Sequence, residues 1–147
     1  MVTIKSGTWF EVRYKYDKTT EDGMTKKATE TSVFLAENFK DAYEKATEHL
    51  CKYMSGEFDV VSMKIAPYKD VVMSETDSDT DFYRVKVTFI VYEPDTDKEK
   101  KTQVNYLVQA NSVDGARRTT DRIMTESLID CDIESVSKTG ILDVIID

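Results

Sequence analysis

Trp9-Phe10-Glu11-Val12-Arg13-Tyr14-Lys15-Tyr16 returns 73 positions later as Phe82-Tyr83-Arg84-Val85-Lys86-Val87-Thr88-Phe89. Two aromatics open each stretch, and apolar and basic residues then alternate. A period of two gives a strand with one buried and one wet face. Phe10, Val12, Tyr14 and Tyr16 belong to the buried side, and Glu11, Arg13, Lys15 and Asp17 to the wet side.

The segments that follow each copy also repeat. After the first come a polar loop with the Asp22-Gly23 pair, suited to a turn with positive φ, and a second strand over about 27–36. Asn38 then has the chemistry of an N-cap. It opens a helix to about residue 54, with Phe39, Ala42, Ala46, Leu50 and Tyr53 on one face. Asp41 precedes Lys45, and Glu48 precedes Lys52, at the spacing that pairs acids with bases. Ser55-Gly56 is a stop signal. A third strand is expected over 58–65, then Pro67 and the apolar piece Val71-Val72-Met73.

In the second copy Tyr83, Val85, Val87, Phe89 and Val91 form the first strand. A charged loop runs from Glu93 to Lys101, and Val104, Tyr106, Val108 and Ala110 form the second strand. Ser112 caps a helix with the apolar face Val113, Ala116, Ile123, Met124 and Leu128. Ile133 and Val136 follow on a third strand, and Val144-Ile145-Ile146 matches Val71-Val72-Met73.

The expected fold is α+β. It comprises two tandem, duplicated strand–strand–helix–strand units, each with a short terminal strand, in mostly antiparallel sheet with helices on one face. Residues 1–73 and 82–147 are the repeats, and the acidic, hydroxyl-rich segment 74–81 is the linker. Each repeat alone is marginal for an independent core, so the two are expected to pack as one body about a pseudo-two-fold axis.

The net charge is −8, half of it in residues 74–81. This argues against indiscriminate binding to duplex DNA or anionic membrane. The N-terminus lacks a signal-peptide pattern and no apolar run would span a membrane, so a cytoplasmic protein is expected. Cys51 and Cys131 are too few for a disulfide framework or zinc knuckle and are expected as free thiols, Cys51 facing outward.

Enzyme signatures do not occur: no G-x-S-x-G, P-loop, G-x-G-x-x-G, C-x-x-C or H-E-x-x-H. The lone His49 falls at the edge of the apolar arc of the first helix, where packing explains it. Asp77, Asp79 and Asp81 open like a calcium loop, but Phe82 and Thr88 stand where glycine and glutamate are required. No catalytic residue, metal or cofactor is expected.

The remaining candidates are Arg13, Lys15, Arg84 and Lys86 on the wet faces of the two first strands. Brought together, they would form an anion-binding face for a phosphate, a nucleotide or single-stranded nucleic acid. Cations that keep an exposed sheet face soluble and paired with neighbouring acids are the simpler explanation.

Trp9-Phe10-Glu11-Val12-Arg13-Tyr14, the acidic loop Thr20-Glu21-Asp22-Gly23 and the lysine- and threonine-containing run to Glu30 resemble a small domain family of unknown function from gut Bacteroidales and their bacteriophages. The resemblance lies mainly in the first repeat and implies no residue role. It implies a setting, the cytoplasm of a bacterium or of a phage-infected host. The expected function is therefore that of a non-enzymatic accessory protein engaging another protein, such as a host factor. The alternative is a ligand-sequestering module that takes an anionic small molecule or nucleotide on the four cations. Exposed strand edges also offer a route to a homodimer.

Overall fold

The computed structural model describes residues 2–53, 57–128 and 130–146. Alternating apolar residues build two long hairpins, each followed by a capped helix and two further strands. In chain order the elements are β1 (Val2–Ser6), β2 (Trp9–Thr19), β3 (Thr25–Leu35), α1 (Phe39–Tyr53), β4 (Phe58–Ile65), β5 (Tyr68–Ser74), β6 (Asp81–Glu93), β7 (Lys98–Ala110), α2 (Val113–Glu126), β8 (Cys131–Lys138) and β9 (Ile141–Ile145). The fold is α+β. One sheet has the order β4-β2-β3-β9 and the other β1-β5-β7-β6-β8.

Both sheets are mixed. The two hairpins, β4 on β2, β8 on β6 and β1 on β5 pair antiparallel, whereas β9 joins β3 and β5 joins β7 in parallel. Two compact units result: Gly7–Pro67 with Gly140–Asp147, and Met1–Ser6 with Tyr68–Thr139. These units do not follow the division into 1–73, 74–81 and 82–147. β5 hydrogen-bonds to β7 and β9 to β3, each in the sheet that the other half of the chain builds, and β1, which was not among the expected strands, pairs antiparallel with β5. The acidic segment lies inside one unit, where Ser74 Oγ–H donates to Asp79 Oδ2 at 2.5 Å and Asp79 N–H to Thr76 O at 3.0 Å.

The register repeats along with the order. Asp70, Val71 and Val72 lie opposite Tyr106, Leu107 and Val108, as Asp143, Val144 and Ile145 lie opposite Ser32, Val33 and Phe34. Arg13 pairs with Ser62 and Tyr14 with Val60, leaving Val61 as a bulge. Likewise Lys86 pairs with Ser135 and Val87 with Ile133, leaving Glu134. Ala66 N–H donates to Trp9 O at 2.8 Å, and Thr139 N–H to Phe82 O at 2.9 Å.

In the Gly7–Pro67 unit α1 covers one sheet face, where Val12, Tyr14, Phe34, Ala46 and Leu50 form a core. Asn38 caps the helix by accepting from Asp41 N–H at 2.8 Å, while the Asp41 carboxylate reaches back to Glu37 N–H at 3.0 Å. Both expected helix pairs form, Asp41–Lys45 at 3.5 Å and Glu48–Lys52 at 3.6 Å. The Asp22-Gly23 turn is also as expected, with Gly23 at φ +81°, a conformation that favours glycine. The Ser55-Gly56 stop lies outside the described residues.

In the Tyr68–Thr139 unit Tyr83, Val85, Val87, Tyr106, Val108, Ala116 and Met124 form the equivalent core under α2. Ser112 caps α2, its Oγ accepting from Gly115 N–H at 2.9 Å. Two expectations need correction here. Leu128 is not on the apolar face: α2 ends at Glu126, and Leu128 lies beyond the cap at φ +56°, 93% exposed. Thr120 takes an inner position instead, its hydroxyl donating to Ala116 O at 2.9 Å. The charged loop is also shorter than 93–101, because Lys98–Lys101 already pair with Ile90–Glu93 and Asp97 turns the chain at φ +53°.

Candidate functional site

The four candidate cations lie on two strands, one pair in each unit. Arg13 and Lys15 lie on β2, on the face away from α1, and both are exposed. Arg84 and Lys86 occupy the equivalent face of β6, in the other sheet, and no strand pairing joins β2 to β6.

The surroundings of the two pairs differ. Arg13 lines a shallow trough of about 390 Å³ that also contains Lys64, Glu11 and Glu30. Lys64 pairs with Glu11 at 3.1 Å. Glu30 accepts from Tyr16 Oη, which pushes that phenol up to about 12, and from Tyr14 Oη at 3.3 Å. Lys15 faces Asp59 across the ladder. The Glu30 carboxylate thus sits with the two tyrosines on the helix-covered face of the sheet, and on the Arg13 side the Glu11 carboxylate is paired with Lys64. Arg84 and Lys86, by contrast, have Asn105, Leu107, Ser135 and Ser137 opposite them. Arg84 Nε–H donates to Asn105 Oδ1 at 3.4 Å.

A cavity of about 220 Å³ opens between α2 and its sheet, lined by Phe89, Tyr106, Val108, Ile123 and Met124, with Lys69 and Asp70 among its polar groups. Lys69 Nζ lies 5.5 Å from the Phe89 ring centre, and Asp70 accepts from Ser6 Oγ–H at 2.5 Å. Burial, with Asp70 and Cys131 adding to it, pushes the Tyr106 phenol up to about 12. The cavity was not anticipated, although its signal is in the sequence: Val108, opposite Val72 on β5, stands where the other unit has the larger, fully buried Phe34 opposite Ile145 on β9.

The strongest difference between the two units is on the outer strands. β4 and β8 are each at the edge of a sheet. Val61 and Ile65 on β4 are 47% and 58% exposed. Glu134 and Lys138 hold the equivalent positions on β8, where Glu134 accepts from Thr88 Oγ1–H at 2.9 Å and Lys138 pairs with Asp81 at 3.7 Å. Tyr43 on α1, half exposed, shares a surface hollow with Phe58, Val60 and Val61. Its equivalent on α2 is Arg117, which pairs with Asp114 at 3.1 Å. One edge thus carries the charges that discourage strand pairing, and the other has lost them.

Cys51 is exposed and Cys131 half-buried, and both are free thiols. Burial, with Asp132, Asp130 and Asp121 adding to it, raises the Cys131 thiol. His49 packs edge-on to Phe34 at 5.8 Å between ring centres. Among the described residues no three His, Cys, Asp or Glu side chains are grouped so as to hold a metal ion, and no helix is long and apolar enough to cross a membrane.

Two helix-backed mixed sheets of matching strand order, one with an apolar edge, define a small strand-rich α+β protein. The chain belongs to DUF4494, a domain of unknown function, whose family model matches residues 8–147. The match runs through both compact units, so it is wider than the likeness carried by the first part of the sequence. No curated protein and no solved structure matches the chain.

Proposed function

We propose that this is a non-enzymatic binding protein that engages another protein along β4. The observation that carries the reading is the substitution of Glu134 and Lys138 on one sheet edge by Val61 and Ile65 on the other. An edge strand presents a row of unpaired N–H and C=O groups, and an added strand takes main-chain affinity from them and specificity from alternate side chains. Covering two half-exposed aliphatic side chains adds about 1 kcal/mol each. In this reading the protein is an accessory factor of a bacterium or phage, acting in the cytoplasm on a host or self-encoded protein. An internal duplication with a pseudo-two-fold relation between the repeats belongs to the same proposal, and the repeated ladder registers support it.

The test exchanges the edge chemistry. In Val61→Glu/Ile65→Lys, β4 carries the residues of β8 and should retain the wild-type melting temperature, because both side chains project into solvent. Affinity capture should lose the proteins that wild type retains. Identical capture by both would remove β4 as the binding edge.

A second reading has its own observation. Lys86 has Asn105 and Ser135 opposite it where Lys15 has the Asp59 carboxylate, so an anionic small molecule or nucleotide is better placed on β6 than on β2. A salt-sensitive thermal shift with nucleotides, lost in Arg84→Glu/Lys86→Glu and kept in Arg13→Glu/Lys15→Glu, would support it. No shift with any nucleotide would end it.

A further inference from the structure

Resting on the β4 reading above, we infer that the partner at this edge is a second copy of the chain, with two β4 strands pairing antiparallel about an axis between residues 61 and 62. The strand reads Phe58-Asp59-Val60-Val61-Ser62-Met63-Lys64-Ile65. Laid antiparallel against itself in this register, it places Phe58 opposite Ile65 of the second copy, Asp59 opposite Lys64 and Val60 opposite Met63. Every contact occurs twice, as an isologous interface requires.

The bulge makes the register possible. Side chains alternate along a regular strand, so residues five apart such as Asp59 and Lys64 would point to opposite faces, and a ladder pairing them would match no side chains. Here Phe58 and Val60 lie opposite Tyr16 and Tyr14, while Met63 and Ile65 lie opposite Val12 and Phe10. All four therefore share the face that α1 covers. Asp59, Ser62 and Lys64 share the other face, because Val61 absorbs the change of parity. Apolar residues then meet apolar residues on one side of the joint sheet, and Asp59 meets Lys64 twice on the other.

Lys64 already has Glu11 within its own sheet, but an ammonium has three donors and can serve both carboxylates. The equivalent strand β8 provides an internal contrast. The same register would set Asp132 against Ser137 and Cys131 against Lys138, with no reciprocal ion pair. Self-complementarity is confined to the edge that has lost its charged guards. Opposite charges directly across a ladder contribute roughly 0.2–1 kcal/mol, and like charges there are destabilising. The ion pairs thus select the register, while the main chain and the apolar face supply affinity.

The experiment is analytical ultracentrifugation of the full chain over a dilution series. Wild type should approach twice the chain mass. Asp59→Lys sets two lysines against each other at each end of the interface, and Lys64→Asp sets two aspartates, so each variant alone should remain monomeric at concentrations where wild type dimerises. Mixing the two variants restores an opposite-charge pair at both ends, and the mixture should dimerise. A misfolded variant would not be rescued in this way. Wild type monomeric throughout, single variants that dimerise like wild type, or a mixture that stays monomeric would each overturn the inference. A monomeric wild type whose captured partner is still lost in Val61→Glu/Ile65→Lys would leave the edge reading standing and remove only the second copy.

Discussion

Phe34 and Val108 occupy equivalent places under the two helices, and exchanging their sizes should have unequal effects. Phe34 is fully buried against Val12, Tyr14, Ala46 and Leu50. A buried aromatic removes about 150–250 Å² from water, worth about 4–6 kcal/mol at ~25 cal/mol per Å². A buried valine retains about 2 kcal/mol of that, so Phe34→Val should cost about 2–4 kcal/mol, the upper end applying if the space cannot collapse. Val108→Phe adds a ring beside an existing space of about 220 Å³. It should escape the overpacking penalty of about 1–3 kcal/mol and change stability by less than about 1 kcal/mol in either direction, since the ring replaces empty volume rather than neighbouring atoms. Urea titrations followed by far-UV circular dichroism would give both values, and unchanged slopes would show that stability alone had moved. If Val108→Phe cost as much as Phe34→Val, the space under α2 would not be usable volume, and the reading of it as a cavity would be wrong.

Replacing Ser112 by alanine leaves Gly115 N–H without its acceptor and should cost about 1 kcal/mol, measured by the same titration; a change under a few tenths would mean that water replaces the cap in full. Alkaline pH should destabilise the fold in a defined window. Tyr16 and Tyr106 are held up to about 12, so an unfolded chain ionises from about pH 10 while the folded chain does not. Their contribution is complete below about pH 10 and is lost as pH rises towards 12. A melting temperature that fell no less steeply over this window in Tyr16→Phe/Tyr106→Phe would place the cause elsewhere.

How legible each element was depends on whether its signal is local. Asn38, Ser112 and Gly23 act on backbone groups within four residues of themselves, and their chemistry is readable without knowing what packs above. The alternation from Phe10 to Tyr16 is equally local, since the pleat alone decides which side chains share a face. Leu128 shows the limit: its spacing from Met124 fits a helix face, but the helix ends before reaching it. The candidate site shows a different limit. Lys15 and Lys86 look alike along the chain and differ in what the ladder sets opposite them, Asp59 for one and Asn105 and Ser135 for the other, and a ladder is chosen by tertiary pairing rather than by the strand itself. The apolar edge was present in the sequence as Val61 and Ile65, but its meaning emerged only once β4 was known to be a border.

The placement of β5 and β9 reaches beyond their local signals. Val71-Val72 and Val144-Ile145 are short apolar runs without alternation, which suits strands with both faces covered, and such strands fit parallel pairings. Their destinations required knowledge of the whole chain. β9 meets β3 across more than a hundred intervening residues, a closure whose entropy must be met before its contacts form. Residues 7–67 can form the hairpin and cap the helix on their own, but until β9 arrives β3 presents an unpaired edge running past Val33 and Phe34. That edge is as open to foreign strands as β4 and more apolar. The arrival of β9 therefore covers the apolar stretch of β3 and moves that border to a strand of five residues, whereas the eight-residue β4 keeps Val61 and Ile65 exposed on its own border, and binding is assigned to the longer apolar one.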